Sequence, residues 1–236
     1  TLGAIDQSCN ITKIGKYLSS FRKISIESAR MIISGIINKA SIKEMCQLSC
    51  LIELKKSELF LKNKKYTISD IIDEIIYPEE ESYKQFDESK CDMKSYNKLK
   101  AKLLIGCEFI EMLLIYQKFL HRANKLSISD LSDWCFKKGL NMKTLINVTE
   151  SIDEVYWTMV ERLKINPVNN NQDDIYQVLR RSGPINDREL VETVSLIKTC
   201  IHDGFRHNRL VWNGNNYISN TGLTVMVSSG LASSIN

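Results

Sequence analysis

Ile26-Glu27-Ser28-Ala29-Arg30-Met31-Ile32-Ile33-Ser34-Gly35-Ile36-Ile37 is the stretch that decides the fold class. Ile26, Ala29, Ile32, Ile33, Ile36 and Ile37 recur at spacings of three and four, which lines them along one side of a helix. A strand has period two and would scatter the same residues over both faces. The helical period continues outward. Ser41-Ile42-Lys43-Glu44 has capping-box form, a hydroxyl and a carboxylate three apart that satisfy orphan N–H groups at a helix start. Met45, Leu48, Leu51 and Ile52 carry an apolar stripe on to about Phe60. Ile68, Ile71, Ile72, Ile75 and Ile76 mark a short helix that Pro78 ends.

Farther along, Leu99, Leu103, Ile110, Leu113, Leu114, Gln117 and Leu120 are spaced for burial along one side of a long helix, widened by Phe109, Met112 and Tyr116. Ser127-Ile128-Ser129-Asp130 caps the next helix, which runs through Trp134 and Phe136 and stops at Gly139. Asn141 caps another, through Leu145, Val148, Ile152, Val155 and Met159 to Pro167. Asn169-Asn170-Asn171 breaks the pattern, and helices near 174–181 and 187–203 flank the Ser182-Gly183-Pro184 turn. The period then changes. Asn208–Trp212, Tyr217–Ser219 and Leu223–Val227 are β-rich runs separated by strong turn signals. The expected fold is mainly α, a helical bundle ending in a partial β unit.

The chain has 236 residues, 43% hydrophobic and 25% charged, ordinary usage for a globular protein with a core. A net charge of +4 is compatible with a polyanionic partner without requiring one. Seven Cys, an odd number without a CxxC pair, argue against a disulfide framework and for a reducing, intracellular compartment, cytoplasm or nucleus. No membrane span or secretion signal is visible. Glu79-Glu80-Glu81 opens an acidic stretch to about Asp92 that reads as a solvated insertion.

Catalytic motifs are absent: no GxxxxGK[ST] phosphate loop, DExH-type quartet, GxSxG or HExxH occurs. Cys46 and Cys50 stand four apart as metal ligands can, but Met45, Leu48 and Leu51 around them point to a core. Cys200, His202 and His207 read as a helix terminus, and the paired carboxylates as helix surfaces and starts. No catalytic residue and no metal ligand is assigned. Basic clusters are more informative. Arg180-Arg181, Arg206-His207-Asn208-Arg209, and Lys137-Lys138 with Asn141 and Lys143 sit at helix ends and turns, where cations and backbone N–H groups reach phosphates together.

The order of short motifs is similar to that of DEAH/RHA-type superfamily-2 helicases. Thr1-Leu2-Gly3-Ala4-Ile5-Asp6 and Ile11-Thr12-Lys13-Ile14-Gly15-Lys16-Tyr17-Leu18 resemble the signature that closes the family's winged helix. Phe21-Arg22-Lys23-Ile24-Ser25 stands where the family has a proline-containing link. Glu108 to Tyr116, then Trp134-Cys135 and Leu140-Asn141-Met142-Lys143-Thr144-Leu145, resemble successive helix motifs, with Lys143 in place of the usual Arg. Asp203-Gly204-Phe205-Arg206-His207-Asn208 resembles the turn into the family's OB-like fold, and Tyr217 with Leu223 to Ser229 its strands. Residues 62–106 and 165–186 show little resemblance.

The resemblance implies three parts: the end of a winged-helix domain over 1–24, a helical ratchet-like domain over 25–203 with the acidic insertion at about 78–92, and the start of an OB-like β domain over 204–236. It implies partners as well, single-stranded RNA or DNA and the RecA-like motor domains of the same polypeptide. ATP and Mg belong to that motor, and this segment is expected to hold no cofactor and to be inactive alone. Lys137, Lys138, Asn141, Lys143, Arg206, His207 and Arg209 are the expected strand or phosphate contacts, and Trp134 an expected core anchor. A helical protein–protein adaptor that docks a helicase cofactor is the alternative, and a winged-helix duplex-DNA binder a more remote one. Ile-, Lys- and Asn-rich usage suits an AT-rich genome such as that of a large DNA virus or a parasite.

Overall fold

The computed structural model describes residues 3–54, 58–62, 107–165, 174–181, 187–219 and 221–225. Helices make up most of it: α1 (Lys13–Leu18), α2 (Ile26–Ile37), α3 (Ile42–Ile52), α4 (Glu108–Ala123), α5 (Ile128–Lys137), α6 (Met142–Trp157), α7 (Ile175–Arg181) and α8 (Asp187–Gly204). A π-helical turn, Thr158–Arg162, prolongs α6, and a 3-10 turn, Arg206–Asn208, follows α8. Strands β1 (Leu210–Trp212), β2 (Tyr217–Ser219) and β3 (Thr224–Val225) then form an antiparallel sheet in that order. Among the described residues no helix is long and apolar enough to cross a membrane. The expected helix before Pro78, the acidic stretch, Leu99, Leu103, the breaks at 169–171 and 182–184, and the strand beyond Val225 lie outside the described residues.

Local chemistry sets the helix starts. The side chains of Thr12, Ser25, Ser41, Ser127 and Asn141 each accept a hydrogen bond from the backbone N–H three residues on. Gly139 ends the α5 segment at φ +67, a left-handed conformation that glycine adopts without penalty.

Packing widens and shifts the faces that periodicity outlines. Helix α2 lies chiefly between α8 and α3. Its middle is therefore buried nearly all round, with Ser28, Met31, Ser34 and Gly35 joining Ala29, Ile32 and Ile33. Ile26 and Ile37, expected on the buried side, lie at the two helix ends and are 47% and 60% exposed. Helix α3 stops at Ile52 instead of running toward Phe60, which belongs to a separate extended segment bridged to Leu140. Beyond Trp157, α6 continues as the π turn and ends at Arg162, short of Pro167.

A polar network lies inside this core. The Glu44 carboxylate does not close a capping box, although Ser41 caps as expected. Its Oε1 accepts from Gln117 Nε2 at 3.0 Å and from the Ile175 backbone N–H at 2.7 Å. Gln117 also donates to Gln47 Oε1 and accepts from the Tyr176 N–H, both at 3.1 Å. Start-of-helix donors of α7 thus find acceptors on α3 and α4. Burial pushes the Glu44 carboxyl up to about 7. Desolvation outweighs the bonds that favour its ionised form.

Candidate nucleic-acid interface

Two turns carry the sequence-predicted contacts, and each is anchored by buried residues beside it. The first joins α5 to α6. Leu140 N–H bonds to Cys135 O at 2.8 Å and Gly139 N–H to Phe136 O at 3.1 Å, which folds the chain back tightly. The turn is then clipped to the segment around Phe60: Leu61 N–H donates to Gly139 O and Asn141 N–H to Leu59 O, both at 2.8 Å. Leu59, Cys135, Leu140 and Leu145 are buried beneath it. Lys137 and Lys143 stand exposed on either side, with no ion pair among the described residues, and Lys138 is half-buried between them. The first turn of α6 has no acidic residue, so the N-terminal dipole and the lysines act on an anion with the same sign.

Asn141 occupies this turn in a different role from the one its sequence position suggests. Its Oδ1 accepts from the Thr144 N–H at 3.3 Å and caps α6. The side-chain oxygen is committed to the fold, and only the amide nitrogen can donate outward. Trp134 is partly buried and packs against the core, as its anchoring role requires.

The second turn follows α8. Asp203 Oδ2 accepts from the buried Ser34 hydroxyl at 2.6 Å, and Phe205 lies 6.1 Å from Phe109, ring to ring. At Gly204, a Cβ would fall 2.7 Å from Glu27 O and 2.8 Å from Met31 Cβ, so only glycine lets α8 approach α2 this closely. Pinned on that side, the turn leaves Arg206, His207 and Arg209 exposed just ahead of β1. Trp212 pairs directly with Tyr217 across β1 and β2, with ring centroids 4.9 Å apart and Trp212 53% exposed. An open aromatic pair follows a run of cations along the chain. Arg180 and Arg181 have side chains outside the described residues.

Cys46, Cys135 and Cys200 are buried, and burial raises their thiols above the ordinary range, whereas His202 and His207 are exposed. Among the described residues no group of three or more His, Cys, Asp or Glu could hold a metal ion. The arrangement supplies exposed cations, helix-end N–H groups and an open aromatic pair, a combination able to bind a polyanion.

The chain resembles part of a viral protein named as an RNA helicase. It is 22% identical over 230 residues, 90% of its length, to the protein named "Putative RNA Helicase B962L" of African swine fever virus (isolate Tick/Malawi/Lil 20-1/1983). The proteins of that name from isolates Tick/South Africa/Pretoriuskop Pr4/1996 and Warthog/Namibia/Wart80/1980 are 22% and 21% identical over 229 residues. The chain spans about a fifth of these relatives, 22% of their length. No protein-family model matches it.

Sequence reading did not single out Trp212, Trp157 or Arg162. Trp212 and Tyr217 become neighbours only through strand register. Trp157 and Arg162 are five apart, a spacing that in an α-helix separates side chains by about 140° around the axis. The π turn, whose bonds run from i to i+5, brings them onto one side, and the Arg162 guanidinium lies 5.6 Å from the centroid of the Trp157 ring.

Proposed function

We propose that this chain is a C-terminal accessory region of an ATP-dependent RNA helicase, one that holds single-stranded nucleic acid while a motor elsewhere in the polypeptide hydrolyses ATP. The observation that carries the reading is the anchored α5–α6 turn, which holds Lys137, Lys138 and Lys143 around a helix N-terminus free of acids. The α8–β1 turn, with Arg206, His207 and Arg209, and the helicase name of the viral relatives support it. Residues 1–24 then represent the end of a winged helix, 25–203 a ratchet-like helical domain and 204–236 the beginning of an OB-like domain. RecA-like motor domains of the same polypeptide are the intramolecular partner, and ATP and Mg belong to them. The segment itself has no phosphate-binding loop and turns over no nucleotide.

Phosphate gripping releases counterions, so binding falls steeply as salt rises. Fluorescence anisotropy of labelled oligouridylate with this chain tests it across a salt series. Binding at low salt with a steep negative log–log slope supports the reading. No binding at low salt overturns it and favours a protein–protein adaptor.

A further inference from the structure

A cleft of about 290 Å³ opens between the segment after α1 and the end of α6. Its walls include Arg22, Lys23, Glu154, Trp157 and Arg162, and none of them belongs to the two basic turns described above. We infer that this cleft is a second strand contact, in which one base of a single-stranded nucleic acid stacks on Trp157 while Arg22 and Arg162 hold the adjoining phosphate.

Three independent features lead there. Trp157 is 57% exposed, although it is among the largest apolar side chains and its chain neighbours Tyr156 and Thr158 are partly buried. An exposed indole at the mouth of a cleft is a surface on which a base can stack, and the Arg162 guanidinium already lies 5.6 Å from its ring centroid. Second, the cations outnumber the acids. Arg22 makes no hydrogen bond or ion pair among the described residues, and Arg162 makes only a 3.5 Å contact to Ser20 O besides its approach to the ring. Glu154, the acid on the wall, is held by Lys23 at 2.6 Å. That pair is solvent-exposed, with side chains 69% and 51% accessible, so it adds little to stability and opens readily. Third, the π turn places Arg162 beside Trp157, which α-helical geometry does not do, and such turns concentrate at functional sites.

The volume lies at the lower limit of small-ligand sites, which suits a single base. An acidic peptide would use the cations and leave the indole idle. Nucleic acid uses both, with base stacking on an aromatic side chain and phosphates on arginine. The inference rests on the strand-gripping reading and adds a site to it.

Anisotropy titrations of oligouridylate against this chain and its variants test the inference, with circular dichroism to verify folding. Trp157→Ala is expected to weaken binding about tenfold, the loss of one stacked base, while Trp157→Phe keeps most of it. Arg162→Ala is expected to flatten the log–log salt slope by about one unit. Glu154→Gln, which removes the acid and releases Lys23, is expected to tighten binding. Wild-type affinity in all four folded variants overturns the cleft and leaves the proposed function standing. Equal competition by polyglutamate, with Trp157→Ala indifferent, overturns it in favour of an acidic peptide. A wild-type chain that binds no oligonucleotide at low salt overturns both readings.

Discussion

Glu44 Oε1 accepts the backbone N–H of Ile175 at 2.7 Å, a bond that spans 131 positions and holds the start of α7 against α3. The carboxyl that makes it is 1% exposed and raised from 4.5 to about 7. In the unfolded chain the same group ionises near its ordinary value. Between about pH 4.5 and 7 the folded state therefore holds the proton that the unfolded state releases, and stability falls as pH rises through that window. A shift of this size corresponds to about 3 kcal/mol. Glu44→Gln keeps an oxygen to accept both bonds and carries no charge. The variant is expected to match the parent near pH 4.5 and to exceed it above pH 7, measured as urea midpoints across pH. Parallel pH profiles for the two proteins would refute the assignment.

Gly204→Ala sets two effects against each other. Alanine improves helix propensity by up to about 1 kcal/mol. Its methyl must also fit 2.7 Å from the Glu27 carbonyl oxygen, which backbone rigidity keeps in place. Overpacking of this kind costs about 1–3 kcal/mol, so the clash prevails and the variant is expected to lose about 1 kcal/mol net in urea denaturation. A neutral or stabilising result would mean that α8 moves off α2 without cost.

Lys137, Lys138 and Lys143 changed together to Glu are expected to leave the fold intact, because the turn beneath them rests on backbone bonds and buried apolar residues. Oligonucleotide binding is expected to be lost, and unwinding by the longer polypeptide with it. Normal binding by a folded triple variant removes this turn from the interface.

Asn141→Ala separates capping from ligand contact. Loss of the Thr144 N–H bond is expected to cost about 1 kcal/mol of stability. The salt slope of oligonucleotide binding is expected to stay the same, since no charge is removed. A flattened slope at unchanged stability would reverse the assignment.

Legibility in the sequence followed the range of the interactions. Ser127, Asn141 and Gly139 act within a few residues, so their capping and stopping roles could be read directly. Ser41-Ile42-Lys43-Glu44 was only half legible. The serine acts locally, but Glu44 finds Gln117 and Ile175 at separations of 73 and 131 positions, which no local pattern encodes. The helix faces were legible at their centres, and their ends depended on neighbours. In the candidate site, charge at helix ends was visible, and the α5–α6 clip to Phe60 was not. The cleft stayed hidden because it depends on a π turn, and a five-residue spacing carries no signal in a sequence read for period 3.6.

The close crossing at Gly204 has a mechanical side. With no Cβ at Gly204 to hold α8 off α2, and with Ser34 bonded to Asp203 one residue earlier, the junction has little slack. Under the proposed function, tension on a strand held at Arg206 or Arg209 would pass straight into the middle of the bundle, as through a bolted joint. A soft joint there would dissipate each pull as local bending before it reached anything able to drive or resist it.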